Sequence, residues 1–512
     1  MNIGFCRKCK KRVPIEHVQK DGKEYLKKNC PDCGVTYDLA ANDAETYRKK
    51  RELVADVGYP GCDINCFGCI RHRPLNIIFV ETTNRCNMNC PICITNVPSM
   101  GFEFEPRMEY FDKIFKYYSG FEFPPSIQLF GGEPTLREDL LDIIKLARSY
   151  GLSVRLVTNG LKLADPDYCE KVISSGASIL ISFDGLKKEM YRRLRGRAEV
   201  LDIKLKALEN ISRHKKGKVI LMTVIDKNMN ADDMPEFFRY CLDNSKIVRG
   251  IFPMPLTQVW SEERLDYKPE RTTQDDVERI VDSAVEGRVD FIPLGALTFK
   301  NLARMFGLRP LPFLGVHPNC ESFTLLISDG EKYVSLSKYL KRDVFDLVRE
   351  IRKLDALAAK YVIPGRAGVR AKFQVMLSLG SILVKYVNFG AIVESRGFKA
   401  AVRWLIILLE AATGKKLKDA VKKHTGIKDI LQILILPFED DATRESERLQ
   451  KCSSGYAYID VETDTVRSVP SCMWEKYKED VLRSNAEKYN KEGYSKGLRK
   501  GDLVKDEVTG NA

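Results

Sequence analysis

The two most apolar stretches of this 512-residue chain, Phe373 to Val387 and Trp404 to Leu409, are cut or bounded by Lys385, Arg403 and Glu410. Both fall short of the ~20 residues that a bilayer crossing needs, which excludes a transmembrane span there. A secretory leader is not expected either. The start, "MNIGFCRKCKKR", carries two cysteines and no apolar core, so a cytoplasmic protein is expected. Fifteen cysteines are too sparse in this length for a disulfide scaffold, which excludes a small bridge-held fold. Acidic residues are outnumbered, 70 against 83 Lys and Arg, for a net charge of +13. A basic surface suits nucleic acid, an anionic membrane face or an anionic substrate, and charge alone does not choose. The apolar fraction of 44% and charged fraction of 30% are those of a globular protein, so disorder is not the default.

What the chain does have is cysteine in short-spaced groups, which in a reducing compartment points to metal. "CRKC" and "CPDCG" place Cys6, Cys9, Cys30 and Cys33 on two tight turns, a four-thiolate set suited to a closed tetrahedral site. The Gly after the second knuckle lets the backbone turn under the ion. Zinc and iron are both served by four sulfurs, so a structural zinc ribbon and a rubredoxin-like electron carrier stay open. Cys62, Cys66 and Cys69 in "GCDINCFGCI" follow, and Cys86, Cys90 and Cys93 in "NRCNMNCPIC" repeat the same spacing. Three thiolates on one loop reach three corners of a cubane, whereas iron–sulfur clusters ordinarily take four protein ligands. Each triplet therefore leaves one iron open or borrows a distant cysteine.

From residue 76 to about 255 the pattern alternates. "NIIFVETT", "SIQLFGGEPT", "LSVRLVTNG", "SILISFDG", "KVILMTVI" and "KIVRGIFPMP" read as buried strands separated by amphipathic helices, which predicts a parallel sheet of six βα units in an open, partial barrel. Chemistry in such folds collects on loops at the C-terminal strand ends. There fall the Cys86 triplet, "GGEP" (Gly131, Gly132, Glu133, Pro134), "TNG" (Thr158, Asn159) and "SFDG" (Ser182, Asp184).

That set resembles the radical S-adenosylmethionine enzymes over roughly residues 76–255. The resemblance implies that Cys86, Cys90 and Cys93 hold three irons of a 4Fe-4S cluster, that S-adenosylmethionine takes the fourth, and that its reductive cleavage gives a 5′-deoxyadenosyl radical. It also implies that Glu133 accepts from the cofactor's ammonium group and that the glycines admit the ligand to the backbone. The residue before the last cysteine is often aromatic in this family. Here it is Ile92, so aliphatic packing is expected to replace stacking on adenine.

Cys169 and Cys241 lie in helical patterns and read as buried thiols. Cys320 in "HPNCES", Cys452 in "QKCSSG" and Cys472 in "VPSCMW" sit near turn chemistry, the last two flanking the hairpin-like "GYAYIDVETDTVRSV". One or two auxiliary 4Fe-4S clusters are expected, the first on Cys62, Cys66 and Cys69, the second on Cys320, Cys452 and Cys472. The insert between them carries Phe373, Met376, Leu377, Gly380, Leu383, Val384 and Val387 at helical spacing. It reads as a buried helical pair, or as the lining of an apolar tunnel or a membrane contact, with Lys415, Lys416, Lys418, Lys422 and Lys423 facing anionic heads.

The four regions are a metal domain at 1–45, an auxiliary iron–sulfur segment at 46–75, the α/β partial (β/α)6 barrel at 76–255, and a C-terminal α+β auxiliary-cluster and apolar helical region at 256–512. In this order they resemble the archaeal tetraether lipid synthase group, which also includes radical pterin methylases of methanopterin synthesis. The resemblance implies joining the terminal carbons of isoprenoid chains in an archaeal diether lipid, with peripheral membrane contact, an electron-donor protein and no nucleic acid. A pterin methylase is the alternative.

Overall fold

A computed structural model describes residues 1–54, 61–67, 69, 76–95, 100–257, 264–308, 316–362, 368–412 and 417–492. Four antiparallel strands, β1 (Asn2–Phe5), β2 (Arg12–Lys20), β3 (Lys23–Cys30) and β4 (Gly34–Ala41), make the N-terminal sheet. Asp21 and Gly22, both at positive φ, close the two-residue hairpin between Lys20 and Lys23, a turn whose twist matches the strands it joins. Lys10 (φ 61°) and Gly34 (φ 79°) turn the chain directly after the two knuckles.

The six expected parallel strands are β5 (Ile77–Thr83), β6 (Ser126–Gly131), β7 (Val154–Thr158), β8 (Ser178–Ser182), β9 (Val219–Ile225) and β10 (Val248–Pro255). They neighbour one another in chain order, as βα units require. The intervening helices bury one stripe each, for example Phe111, Ile114, Phe115 and Tyr118 of helix Met108–Ser119, and these stripes and the strands form one core.

The sheet does not stop at six. The C-terminal half adds β11 (Ile292–Pro293), β12 (Ser322–Ser328), β13 (Tyr333–Ser335), β14 (Asp429–Ile435), β15 (Ser454–Asp460) and β16 (Thr465–Pro470). β14 pairs parallel to β10 and carries β12 beyond it, while β15 pairs parallel to β5 and forms a hairpin with β16. An open barrel leaves the N–H and C=O groups of its first and last strands unpaired, and these additions satisfy both edges. The region after residue 256 is thus built into the barrel's own sheet.

The N-terminal sheet is seated against residues 439–447. Lys28, with no exposed side-chain surface, donates to the carbonyls of Asp441 and Ala442 and pairs with Asp38. His17, Glu445 and Glu447 meet at the same seam, where Asn2 and Arg51 tie both carboxylates into an ion-pair network.

The apolar insert forms helices Val369–Tyr386 and Gly397–Ala412. Neither the buried pair nor the tunnel is found. Val375, Leu379 and Ile382 face a small core with Leu302, Met305 and Leu354, while Phe373, Met376, Leu377, Gly380 and Val384 lie on the outer surface. The helix is apolar on both faces, so periodicity alone could not say which face meets the protein. Lys415 and Lys416 lie outside the described residues. Among the described residues no helix is long and apolar enough to cross a membrane.

Candidate active site

The loops after β5, β6, β7 and β8 meet over the open mouth of the barrel around a cavity of about 180 Å³. Cys86, Cys90, Cys93, Gly131, Gly132, Glu133, Thr158, Asn159 and Ser182 line it, with Ile92 among its aliphatic walls. Pro134 and Asp184 do not. Pro134 starts the short helix Pro134–Leu136, which Glu133 caps, and Asp184 acts one step back from the cavity.

Glu133 is almost fully buried and knits two loops together. Its Oε1 accepts from Thr135 N–H (3.1 Å), Thr135 Oγ1 (2.6 Å) and Thr158 Oγ1 (2.6 Å), and its Oε2 accepts from Asn159 N–H (2.6 Å). Most of its acceptor capacity therefore fixes protein, and one lone pair on Oε2 is left for a cofactor donor. The glycines have a cause other than ligand approach. A Cβ on Gly131 would stand 2.4 Å from the Thr83 carbonyl oxygen, and one on Gly132 2.1 Å from that of Arg85. Close packing against the start of the cysteine loop demands both.

Two cations escape sequence reasoning. Arg195 reaches the cavity and makes paired bonds to Asp184, Nε to Oδ2 at 2.6 Å and Nη2 to Oδ1 at 2.9 Å. Lys204, fully buried, donates to the Asn159 carbonyl, the Ser182 carbonyl and the Ser182 hydroxyl. Burial, reinforced by the Arg195 charge, brings its pKa down to about 8. Burial pushes the Cys90 thiol up, while Arg195 favours its thiolate. Burial, then Glu133 and the other two thiolates, pushes Cys86 well up. Such thiols ionise readily only against positive charge, which the two cations provide and a bound metal cluster would add.

Only the ribbon has single-ion spacing among the cysteine groups of the described residues. Cys6, Cys9, Cys30 and Cys33 bring their sulfurs within 4.8 Å of one another, with Cys9 and Cys30 at 3.6 Å. Tetrahedral metal–sulfur bonds of about 2.3 Å place sulfurs about 3.8 Å apart, so this set fits one zinc or iron. No three of the other cysteines lie that close among the described residues, and no fourth cysteine lines the barrel cavity there. Three thiols spread around a roomy site fit a cubane with one iron left for another ligand.

The remaining cysteines converge in part. Burial, then the charges of Cys62, Cys69 and Cys452, pushes Cys66 up. Burial, with Cys472 and Cys452 adding to it, does the same at Cys320, and Cys472 is pushed up to about 12 by burial with Glu439 and Cys452. Cys452 is thus in electrostatic reach of both groups. Cys169 and Cys241 are buried in the barrel core.

The Radical SAM superfamily model matches residues 80–241, and the HMPTM N-terminal zinc ribbon domain matches 3–42. A 7,8-dihydro-6-hydroxymethylpterin dimethyltransferase of Methanocaldococcus jannaschii is 28% identical across 92% of both chains. A GTP 3′,8-cyclase of Nautilia profundicola is 31% identical over 35% of this chain and 56% of its own length. The solved structure of Streptococcus suis SuiB bound to S-adenosylmethionine covers 41% of this chain and 43% of that one, at 17% identity and a TM-score of 0.31. The radical SAM domain implies a 4Fe-4S cluster, S-adenosylmethionine and an electron donor, and the four-cysteine ribbon a single metal ion. The expectation of a lipid-coupling, tetraether-forming enzyme is corrected here. A relative matched over 92% of both chains is a pterin dimethyltransferase, and the helices assigned to a lipid tunnel face outward.

Proposed function

Because this chain is a radical S-adenosylmethionine enzyme, we propose that it transfers methyl groups to a reduced pterin. The observation that carries this reading is the similarity over 92% of both chains, a span far longer than the 80–241 domain.

A second pocket supports it. Pro255, Leu256, Thr257 and Phe438 line both the cluster cavity and an adjoining polar pocket that contains Glu439, Arg448 and Asn319. Both carboxylate oxygens of Glu439, Nε and Nη2 of Arg448, and Nδ2 of Asn319 are buried without a hydrogen-bond partner. Arg448 Nη1 stands 2.5 Å from Glu439 Oε1 without hydrogen-bond alignment. Leaving such groups unsatisfied costs about 1–3 kcal/mol each, and a ligand that completes them recovers this. A pterin's pyrimidinone edge offers two adjacent N–H donors for a carboxylate and a carbonyl for Arg or Asn, so its hydrogen-bonding pattern complements these groups.

Cys86, Cys90 and Cys93 would hold the catalytic cluster, and Cys62, Cys66 and Cys69 with Cys320, Cys452 and Cys472 the auxiliary ones. When bound, the cluster and S-adenosylmethionine supply the one-electron chemistry that opens unreactive C–H positions. The chain's own groups fix that chemistry in place. Glu133 locks the two cofactor loops, Asp184 aims Arg195 at the cavity, and Ile92, Leu256 and Phe438 keep water away.

The test incubates anaerobically reconstituted protein with S-adenosylmethionine, a reductant and 7,8-dihydro-6-hydroxymethylpterin. Mass spectrometry is expected to find pterin heavier by one or two methyl groups. Glu439→Gln should raise the pterin concentration needed at least tenfold while leaving pterin-independent cleavage of S-adenosylmethionine intact. Cleavage without any methylated pterin would overturn the reading.

A further inference from the structure

We propose that helices Val369–Tyr386 and Gly397–Ala412 seat the protein on an anionic phospholipid bilayer, lying in the plane of its surface. Each helix turns an apolar stripe outward. On the first, Val369, Phe373, Met376, Leu377 and Val384 are exposed, Phe373 at 61% and Leu377 at 59%. On the second they are Phe398, Val402, Leu405, Ile406 and Leu409, Phe398 at 84% and Leu405 at 56%. Both runs follow the i, i+4, i+7, i+8 spacing of a single helix face. The opposite faces are already in use, Val375 and Leu379 against one small core and Trp404 and Ile407 against another. These outward stripes are therefore surplus to folding. Scattered exposed apolar residues need no explanation, but ten on two ordered faces within 41 residues of chain mark a contact surface.

Charge chooses the occupant. Between residues 368 and 412 there are six Lys and Arg (Arg370, Lys372, Lys385, Arg396, Lys399, Arg403) and two acids, Glu394 and Glu410. Glu410 is taken up by Lys423 and His424. Arg370, Lys385, Arg396, Lys399 and Arg403 are exposed beside the stripes. A second copy of this chain fits poorly, because a two-fold contact sets a patch against itself and would bring these cations face to face. Lipid phosphates provide the opposite charge, and the acyl boundary accepts the rings and aliphatic chains. Helices of 18 and 16 residues are about 27 and 24 Å long, enough to lie along a surface, and neither is apolar enough to cross. The inference is independent of the substrate, since none of these residues lines the cluster cavity or the pocket beside it.

The experiment uses the full reconstituted chain in vesicle flotation, with phosphatidylcholine alone or mixed with phosphatidylglycerol. Wild type is expected to partition onto the anionic vesicles at least tenfold better than onto neutral ones, with half a molar salt reducing the difference. Two variants, Phe373→Glu with Leu377→Glu and Leu405→Glu with Ile406→Glu, should each lose at least tenfold in partition. Both place charge where solvent already reaches, and unchanged cleavage of S-adenosylmethionine confirms that they are folded. Equal flotation of wild type and both variants overturns the inference. So does wild type that ignores anionic vesicles but forms a dimer that the same substitutions dissolve, which would give the stripes to a second copy.

Discussion

Replacing Glu133 with Gln tests whether this carboxylate holds the cofactor site mainly as a brace. Three donors converge on Oε1, from the Thr135 N–H, the Thr135 hydroxyl and the Thr158 hydroxyl, so the amide oxygen of Gln must take that place. Its NH2 group then faces the Asn159 N–H, which donates to Oε2 at 2.6 Å in the native chain. One charge-assisted bond is lost, worth about 1.5–3 kcal/mol, and two donors are left opposed in a buried place. A cost of about 3 kcal/mol shared between the "GGEP" and "TNG" loops corresponds to a roughly 100-fold weaker hold on S-adenosylmethionine. Equilibrium dialysis on anaerobic protein measures it, with iron content confirming that the cluster is still loaded. Thr158→Val is the paired variant. It leaves the charge alone but removes one of the four bonds to Glu133 and the acceptor for the Gly160 N–H, and should weaken binding about tenfold. Affinity within threefold of wild type for Glu133→Gln, or a loss there with none in Thr158→Val, would refute the bracing argument and leave direct charge contact as the residue's role.

Gly132→Ala would put a methyl group 2.1 Å from the Arg85 carbonyl oxygen and is expected to abolish binding of S-adenosylmethionine, with dialysis again the measurement. Chelation of the ribbon metal should expose residues 2–41 to hydrogen exchange while the twelve-stranded sheet stays protected, because the ribbon's cysteine-centred core contains only Val13 besides the thiols. Burial lifts Glu81 to about 7 against the opposing pull of Trp474 and Lys478, so the folded state holds that proton more tightly than the unfolded chain. The resulting stability, on the order of 3 kcal/mol, is present below pH ~4.5 and lost as pH rises through ~7; Glu81→Gln, which keeps an acceptor for Trp474, should remove this slope and exceed wild type at pH 8 in denaturant titrations. Gly380→Trp should leave cleavage of S-adenosylmethionine unchanged, since nothing lies within 4 Å of a Cβ there.

The barrel strands were legible because parallel strands are buried on both faces and appear as unbroken apolar runs. Arg195 was not. Four arginines stand in "YRRLRGR", and composition makes them equivalent. The chain takes a π-helical turn over Tyr191–Arg195 and leaves it through Gly196 at φ 82°, which turns Arg195 inward to Asp184 while Arg192 pairs with Glu189 at the surface. Lys204 was hidden for a related reason. Its acceptors are a backbone carbonyl of the third loop and two oxygens of the fourth, and backbone acceptors have no residue type to recognise. The insert failed differently. Its periodicity gives the helix, but a helix with two apolar faces needs its neighbours to say which one is inside.

The sheet edges hold the step that local pattern could not give. Ser454 of β15 pairs with Ile77, the first residue of β5, and Pro470 of β16 returns beside Gly455. Cys452 and Cys472 are therefore set at the N-terminal end of β5, while the Cys86 loop leaves its C-terminal end after Thr83. Between the two ends, Tyr456 stacks on Trp474 at 4.9 Å and on Phe79 at 4.7 Å, and feels the charge of both Cys472 and Cys93. The strand that closes the open edge of the barrel thus also sets two thiols at the end of β5 away from the Cys86 loop. A radical SAM domain alone supplies one cluster and an unpaired β5. It is the pairing of β15, encoded almost 400 residues later, that satisfies that edge and sets Cys452 and Cys472 at the end of β5 opposite the Cys86 loop.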